Sequence, residues 1–273
     1  MLAFCMCAPT EGVWAQACGE LVTIQTHGSS TTAVSIGMPS APQDGQMALV
    51  LLPGGPGYLA LDANGCARKL QGNSLVRSRD LFHRAGFVTA LVDAPSDHRG
   101  EDGLGGFRIS SQHAEDIGKV IAAMRARTKT AVWLVGTSRG AISAANAASR
   151  LAGPAAPDGL VLTSPVTSGR VGGFKPWVAQ TVFSVRLDAI RVPVLVVAHA
   201  ADKCIRTPPS LAGSIVARTN GAREQTVTVT GGPGSKSAQV SVEACEGSSP
   251  HGFIGQEAAV AAGIIRFVRG GRY

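Results

Sequence analysis

The residues best suited to chemistry lie in "VWLVGTSRGAISAANAA", where Gly136-Thr137-Ser138-Arg139-Gly140 reads G-x-S-x-G between an apolar run and an Ala-rich segment. The pattern alone says little in a chain with 34 glycines. Its context says more, because a tight strand-to-helix turn needs small residues beside the serine. Such a turn lifts the hydroxyl above the sheet and aims the helix N-terminus at it. The plainer alternative is a strand-ending serine that only caps the helix. A serine hydroxyl is a weak nucleophile, so acyl chemistry also requires a base and a carboxylate that orients it.

Of the 6 histidines, His251 in "SSPHGFIG" sits in a polar loop just before the final helical pattern, and it is the expected base. His27 lies in an early turn, His83 and His113 in helical patterns and His199 at a strand end, all read as structural or solvated. His98 follows a strand and is the second choice, but it precedes the serine. The acid is expected at Asp202, after the apolar strand "VPVLVVAH". Asp188 falls before that strand, at the wrong edge, and Glu243 and Glu246 crowd His251 in sequence, with Glu246 held in reserve. Ser138, Asp202 and His251 thus run in the order Ser–acid–His.

These groups need a scaffold that brings three distant loops together. "LVTIQT" and "TTAVSIG" read as a hairpin-like strand pair around "HGSS". The apolar runs at 47–52, 87–95, 131–136, 159–164 and 192–199 then read as strands buried on both faces, with a last strand at 224–230. Helical patterns alternate with them, among them 74–86, the amphipathic 111–127, the Ala-rich stretch after Ser138, "PPSLAGSIVAR" and the C-terminal "GFIGQEAAVAAGIIRFVRG". Residues 165–191 have room for one helix and a loop, and no cap domain. The alternation predicts a three-layer α/β/α sandwich on a mostly parallel sheet, with chemistry beyond the strands' carboxyl ends.

Composition narrows the function classes. The net charge of +7 comes from scattered Lys and Arg, and aromatics are only 5%. Without a stacking surface or a recognised module, nucleic-acid binding is not expected. No HExxH or paired-Cys spacing appears, so neither metal nor cofactor is expected. Residues 1–17 end in "AQA", with small residues where a signal peptidase requires them, and read as a signal-peptide remnant ahead of one domain, 18–273. Cys18 beside that site hints weakly at lipidation, and no later segment approaches a membrane span. Export to the periplasm or the medium fits the four cysteines left after residue 17, Cys18, Cys66, Cys204 and Cys245, for which three pairings are open.

Taken together, the elbow, the acid strand and the histidine before the last helix resemble the α/β-hydrolases over nearly the whole chain after residue 17. The "PGGPG" at 53–57 is similar to the oxyanion loop of proline-iminopeptidase-like members, with Pro53 where they carry His. "LVDAPSDHRGEDG" is a looser echo of their post-strand segment, while the elbow differs and their cap is missing. The resemblance implies Ser138 as nucleophile, His251 as base and Asp202 as its partner, with the Gly55 and Arg139 amides as oxyanion donors. Pro56 has no amide proton to give. It implies hydrolysis of small or polymeric carboxylic esters, with an amidase or aminopeptidase, or a silent hydrolase-fold binding protein, as alternatives. If the acid and base loops adjoin as such a triad requires, a Cys204–Cys245 bridge would pin them and leave Cys18–Cys66. A second "GGPG", at 231–234, lacks the glycine before Lys236 that a phosphate loop needs, and reads as the start of a loop toward His251.

Overall fold

The computed structural model describes residues 18–39, 46–170, 172, 174–235 and 238–273. The signal-like segment 1–17 and Lys236 lie outside them. The chain runs β1 (Glu20–Gln25), β2 (Thr31–Gly37), β3 (Ala48–Leu52), α1 (Ser74–Arg77), α2 (Arg79–Arg84), β4 (Val88–Val92) and α3 (Ser111–Thr128). It continues through β5 (Val132–Thr137), α4 (Gly140–Arg150), β6 (Gly159–Thr163), β7 (Val194–His199), α5 (Gly213–Val216), β8 (Glu224–Val229) and α6 (Glu257–Val268). The eight strands form one sheet in the order β1-β2-β4-β3-β5-β6-β7-β8. β1 and β2 pair antiparallel, β2 joins β4 antiparallel, and every later pairing is parallel.

Alternation of side chains along a strand divides the core into two layers. Val50 and Leu52 face Ile117, Ile121, Ala144 and Ile215 of α3, α4 and α5, while Leu49 and Leu51 face Phe82, Ile264 and Phe267 of α2 and α6. β3 to β7 are buried along their whole length, which is why their sequences are unbroken apolar runs. The edge strands β1 and β8 mix exposed and half-buried positions. The expected three-layer architecture is therefore the one observed, and among the described residues no large cap covers it.

Three helical expectations change. Among the described residues of 165–191 the only helical elements are 3₁₀ turns, at Pro176–Ala179, Val182–Ser184 and Leu187–Ala189. The buried hydrophobic residues there, Val166, Val182, Leu187 and Ile190, offer a single i,i+3 pair and no sustained helical repeat, and a side chain at Gly169 would run into the Ala179 carbonyl. "PPSLAGSIVAR" forms a 3₁₀ turn and the single-turn α5, as its prolines, glycine and β-branched residues favour. The pattern at 74–86 breaks at Ser78 into α1 and α2. No helix among the described residues is long and apolar enough to cross a membrane.

Two disulfides join Cys18 to Cys66 and Cys204 to Cys245. The second links the loop after β7 to the loop before α6.

Candidate active site

Ser138 follows β5 and precedes α4 in a left-handed conformation, φ 54°. That region is strained for a residue with a side chain, and it marks a sharp turn. The turn depends on glycines close by. A Cβ on Gly140 would meet the Leu52 carbonyl at 2.0 Å, and one on Gly54 would meet Ser138 Cβ at 2.8 Å. The loop after β3 can therefore lie directly against the serine.

Gly55, in that loop, has φ 57°. Its N–H and that of Arg139 donate no hydrogen bond within the described chain. The Gly55 carbonyl is held from the other side by the Nη2 of Arg108 at 3.2 Å, which also reaches the Pro53 carbonyl at 3.3 Å. Arg108 is 2% exposed and donates to Ser143 Oγ at 2.7 Å. It has no carboxylate partner among the described residues, and burial lowers its pKa to about 9, helped by the charge of Arg139. A buried cation spent on two carbonyls fixes which way their peptide groups point. Asp93, at the end of β4, steadies the next stretch by accepting from the amides of Leu59 and Leu61 at 2.6 and 3.2 Å. Burial raises its pKa, against those same hydrogen bonds.

The structure brings Asp202 and His251 together, with Oδ2 3.0 Å from Nδ1 and both side chains buried. Thr207 joins the pair: its hydroxyl donates to Asp202 Oδ2 at 2.7 Å and lies 3.0 Å from His251 Nδ1. The Cys204 amide donates to the other Asp202 oxygen at 2.8 Å. The His251 loop is held by Ser164 Oγ, which donates to its carbonyl at 2.8 Å, and by Arg77, which reaches the Gly247 and Gly252 carbonyls and Glu257. His98, the second choice as base, belongs to a separate cluster near β1. Glu246 lies on the wall of the cavity that His251 lines, without bonding it.

Two cavities open beside Ser138. One, of about 380 Å³, is lined by Gly54, Gly55, Asn73, Ser138, Gly247 and His251. The Ser138 hydroxyl is not hydrogen-bonded to the imidazole, as is common before a substrate binds. The other cavity, of about 450 Å³, is lined by Gly55, Arg139, Lys175, Trp177, Arg206 and Cys245 among others. The Arg139 guanidinium stacks on Trp177, 3.9 Å from the ring centre. Burial, with the charge of Arg206, lowers its pKa to about 10. Lys175 is paired with Glu101 and Asp102, whereas Arg206 has no carboxylate partner among the described residues.

The second Gly-Gly-Pro-Gly stretch is remote from this chemistry. Its Gly231 and Gly232 follow β8 and pack on Gln256. The cavity walls come instead from residues 242–248 farther along the same loop. Arg108, Asp93 and Ser164 leave no local mark in the sequence, because each acts on a loop far away in the chain, and Thr207 meets His251 across 44 residues as well as its neighbour Asp202.

No family model matches the sequence, and no curated protein matches it. Solved structures do resemble the fold. An α/β serine hydrolase homologue from Coxiella burnetii is 17% identical, with a TM-score of 0.57 over 91% of this chain and 97% of that one. An esterase from Exiguobacterium antarcticum is 14% identical, with a TM-score of 0.58 over 92% and 99% of the two chains. The proline iminopeptidase of Mycobacterium smegmatis is 14% identical, with a TM-score of 0.59 over 92% and 98%.

Proposed function

We propose that this chain, which has the α/β-hydrolase fold, is a serine hydrolase that cleaves carboxylic esters through an acyl-enzyme. The observation that carries the proposal is a convergence on one cavity. The strained Ser138, the uncommitted Gly55 amide and the Asp202-paired His251 all line it, and the uncommitted Arg139 amide follows Ser138 directly.

In this mechanism Ser138 Oγ attacks the ester carbonyl carbon while His251 Nε2 takes its proton. The carbonyl oxygen becomes an oxyanion held by the Gly55 and Arg139 N–H groups. Collapse breaks the bond to the alcohol oxygen, which leaves with the proton from His251. Water, deprotonated by the same imidazole, then attacks the acyl-enzyme and restores the serine. Asp202 holds Nδ1–H and stabilises the imidazolium.

The charge of the larger cavity favours esters over the aminopeptidase alternative. Glu101 and Asp102 are occupied by Lys175, so a substrate ammonium would meet Arg139 and Arg206. The two disulfides fit work outside the cytoplasm, in the periplasm or the medium.

Ser138→Ala should lose short-chain ester hydrolysis by at least about 10³-fold while its circular dichroism and melting temperature stay those of the wild type. Near-wild-type turnover in that variant would contradict the mechanism.

A further inference from the structure

A second group of chemistry-bearing side chains lies at the carboxyl edge of the sheet, apart from Ser138. His27, in the turn from β1 to β2, directs Nε2 at Asp97 Oδ2, 2.8 Å away. His98, in the turn after β4, places its Nε2 3.9 Å from the same oxygen. The three donor atoms all lie within 4.8 Å of one another.

Both imidazoles are prepared from behind. His27 Nδ1 hydrogen-bonds Asp116 Oδ2 on α3 at 2.5 Å, and Asp116 is buried. His98 Nδ1 donates to the Gly103 carbonyl at 3.3 Å. Each ring therefore has its Nδ1 turned to an acceptor and its Nε2 on the side of Asp97. That is the outer-shell arrangement by which proteins hold histidine ligands to a metal. His27 Nε2 shares a proton with the Asp97 carboxylate, which a bound cation would displace. Phe107 stacks on His98, with ring centres 4.1 Å apart, and fixes the plane of that ring.

We propose that His27, Asp97 and His98 form a binding site for a late first-row divalent cation, Zn²⁺ by the chemistry of its donors. Two imidazole nitrogens and one carboxylate suit Zn²⁺ and disfavour Mg²⁺ and Ca²⁺, which prefer all-oxygen shells. Zinc bonds of about 2.0–2.1 Å place tetrahedral donors about 3.3 Å apart, so the widest pair must close by roughly 1.5 Å. The exposed side of Asp97 leaves the fourth position to water.

The site would do structural work for the hydrolase. Gly103, which anchors His98, is followed by Leu104, whose amide donates to the Pro56 carbonyl at 2.9 Å. Glu101 and Asp102, in the same loop, line the larger cavity. An ion on His98 would stiffen the segment that braces the oxyanion loop. The other grouping of possible ligands, Asp202, Cys204 and His251, is unsuited because Cys204 is in a disulfide.

The test uses the full chain, stripped with EDTA and then given Zn²⁺ or Co²⁺. Wild type should retain one zinc per chain through gel filtration and melt at a higher temperature with it. Co²⁺ should give the strong visible bands of a four-coordinate site. His98→Gln should lose retention, and Asp116→Asn should weaken binding about 10- to 100-fold. Ser138→Ala should bind zinc as wild type does, which keeps this result independent of the hydrolase proposal. No retained zinc, or equal retention by wild type and His98→Gln, would overturn the site.

Discussion

At the scale of single residues, the proposed chemistry depends on groups outside the proposed triad. Arg108 is the clearest case. It is a positioning residue: it holds the Pro53 and Gly55 carbonyls, which lie on the peptides either side of the one carrying the Gly55 N–H. Without it that amide loses this brace, with only Arg139 Nη1 at 3.4 Å left on the Gly55 carbonyl. Displacement of one catalytic group by about 1 Å can cost about 10²-fold in rate. Arg108→Met should therefore lower kcat toward short-chain esters by about 10²-fold with little change in KM. Arg108→Lys, able to reach a carbonyl, should recover part of that loss. Equal rises in KM and falls in kcat, or no rescue by lysine, would leave Arg108 a merely structural cation. Ser138, Asp202 and His251 can be put forward as candidates from the sequence because each follows or precedes a patterned element at a fixed place. Arg108 and Thr207 cannot, since no local pattern records which distant carbonyl or imidazole a side chain will reach.

At the scale of elements, strands were read more reliably than helices. β3 to β7 announce themselves as apolar runs because both faces are buried, and a run of that kind has few alternatives. The segment 165–191 has the composition of a loop with scattered anchors, and it folds as successive 3₁₀ turns. The disulfide between Cys204 and Cys245 acts at this scale, tying the loop of the proposed acid to that of the proposed base across a separation of 41 residues. Closing a loop of that size removes unfolded-state freedom worth about 4 kcal/mol. Cys204→Ser with Cys245→Ser should lower the melting temperature by several degrees. Activity should fall further than stability alone requires, because Asp202 lies two residues from one end of the bridge and His251 six from the other. Unchanged melting in the double variant would remove the bridge from the account. The pairing itself followed from placing the two loops side by side, a tertiary premise that cysteine spacing alone does not supply.

At the scale of the whole molecule, buried histidines couple stability to pH. Burial, reinforced by Arg79, lowers the His83 pKa to about 4, and His83 Nε2 lies 2.7 Å from Thr89 Oγ1. Burial and Arg108 hold His113 well below its ordinary value. Both are neutral in the folded chain and become charged on unfolding below about pH 6.5. The stability they support is present above that pH and is lost as pH falls toward about 4, since the unfolded state then binds more protons. Urea midpoints should fall between pH 7 and 4.5, and His83→Gln should flatten that decline. An identical slope in the variant would show that His83 does not titrate on unfolding.

The overall architecture was readable because strand and helix periods alternate along most of the chain. The cluster of His27, Asp97, His98 and Asp116 was not, because only Asp97 and His98 are neighbours in sequence and the rest join them when β1, β4 and α3 pack.

The central claim is that Ser138 is an activated nucleophile, and a fluorophosphonate probe tests it most directly. Phosphonylation requires a serine whose proton is accepted by a neighbouring base and whose developing oxyanion is held. Intact-mass and peptide mapping of the labelled protein should find one adduct, on Ser138, that forms slowly or not at all in His251→Ala. A folded wild-type protein that stays unlabelled, or an adduct on another residue, would contradict the account.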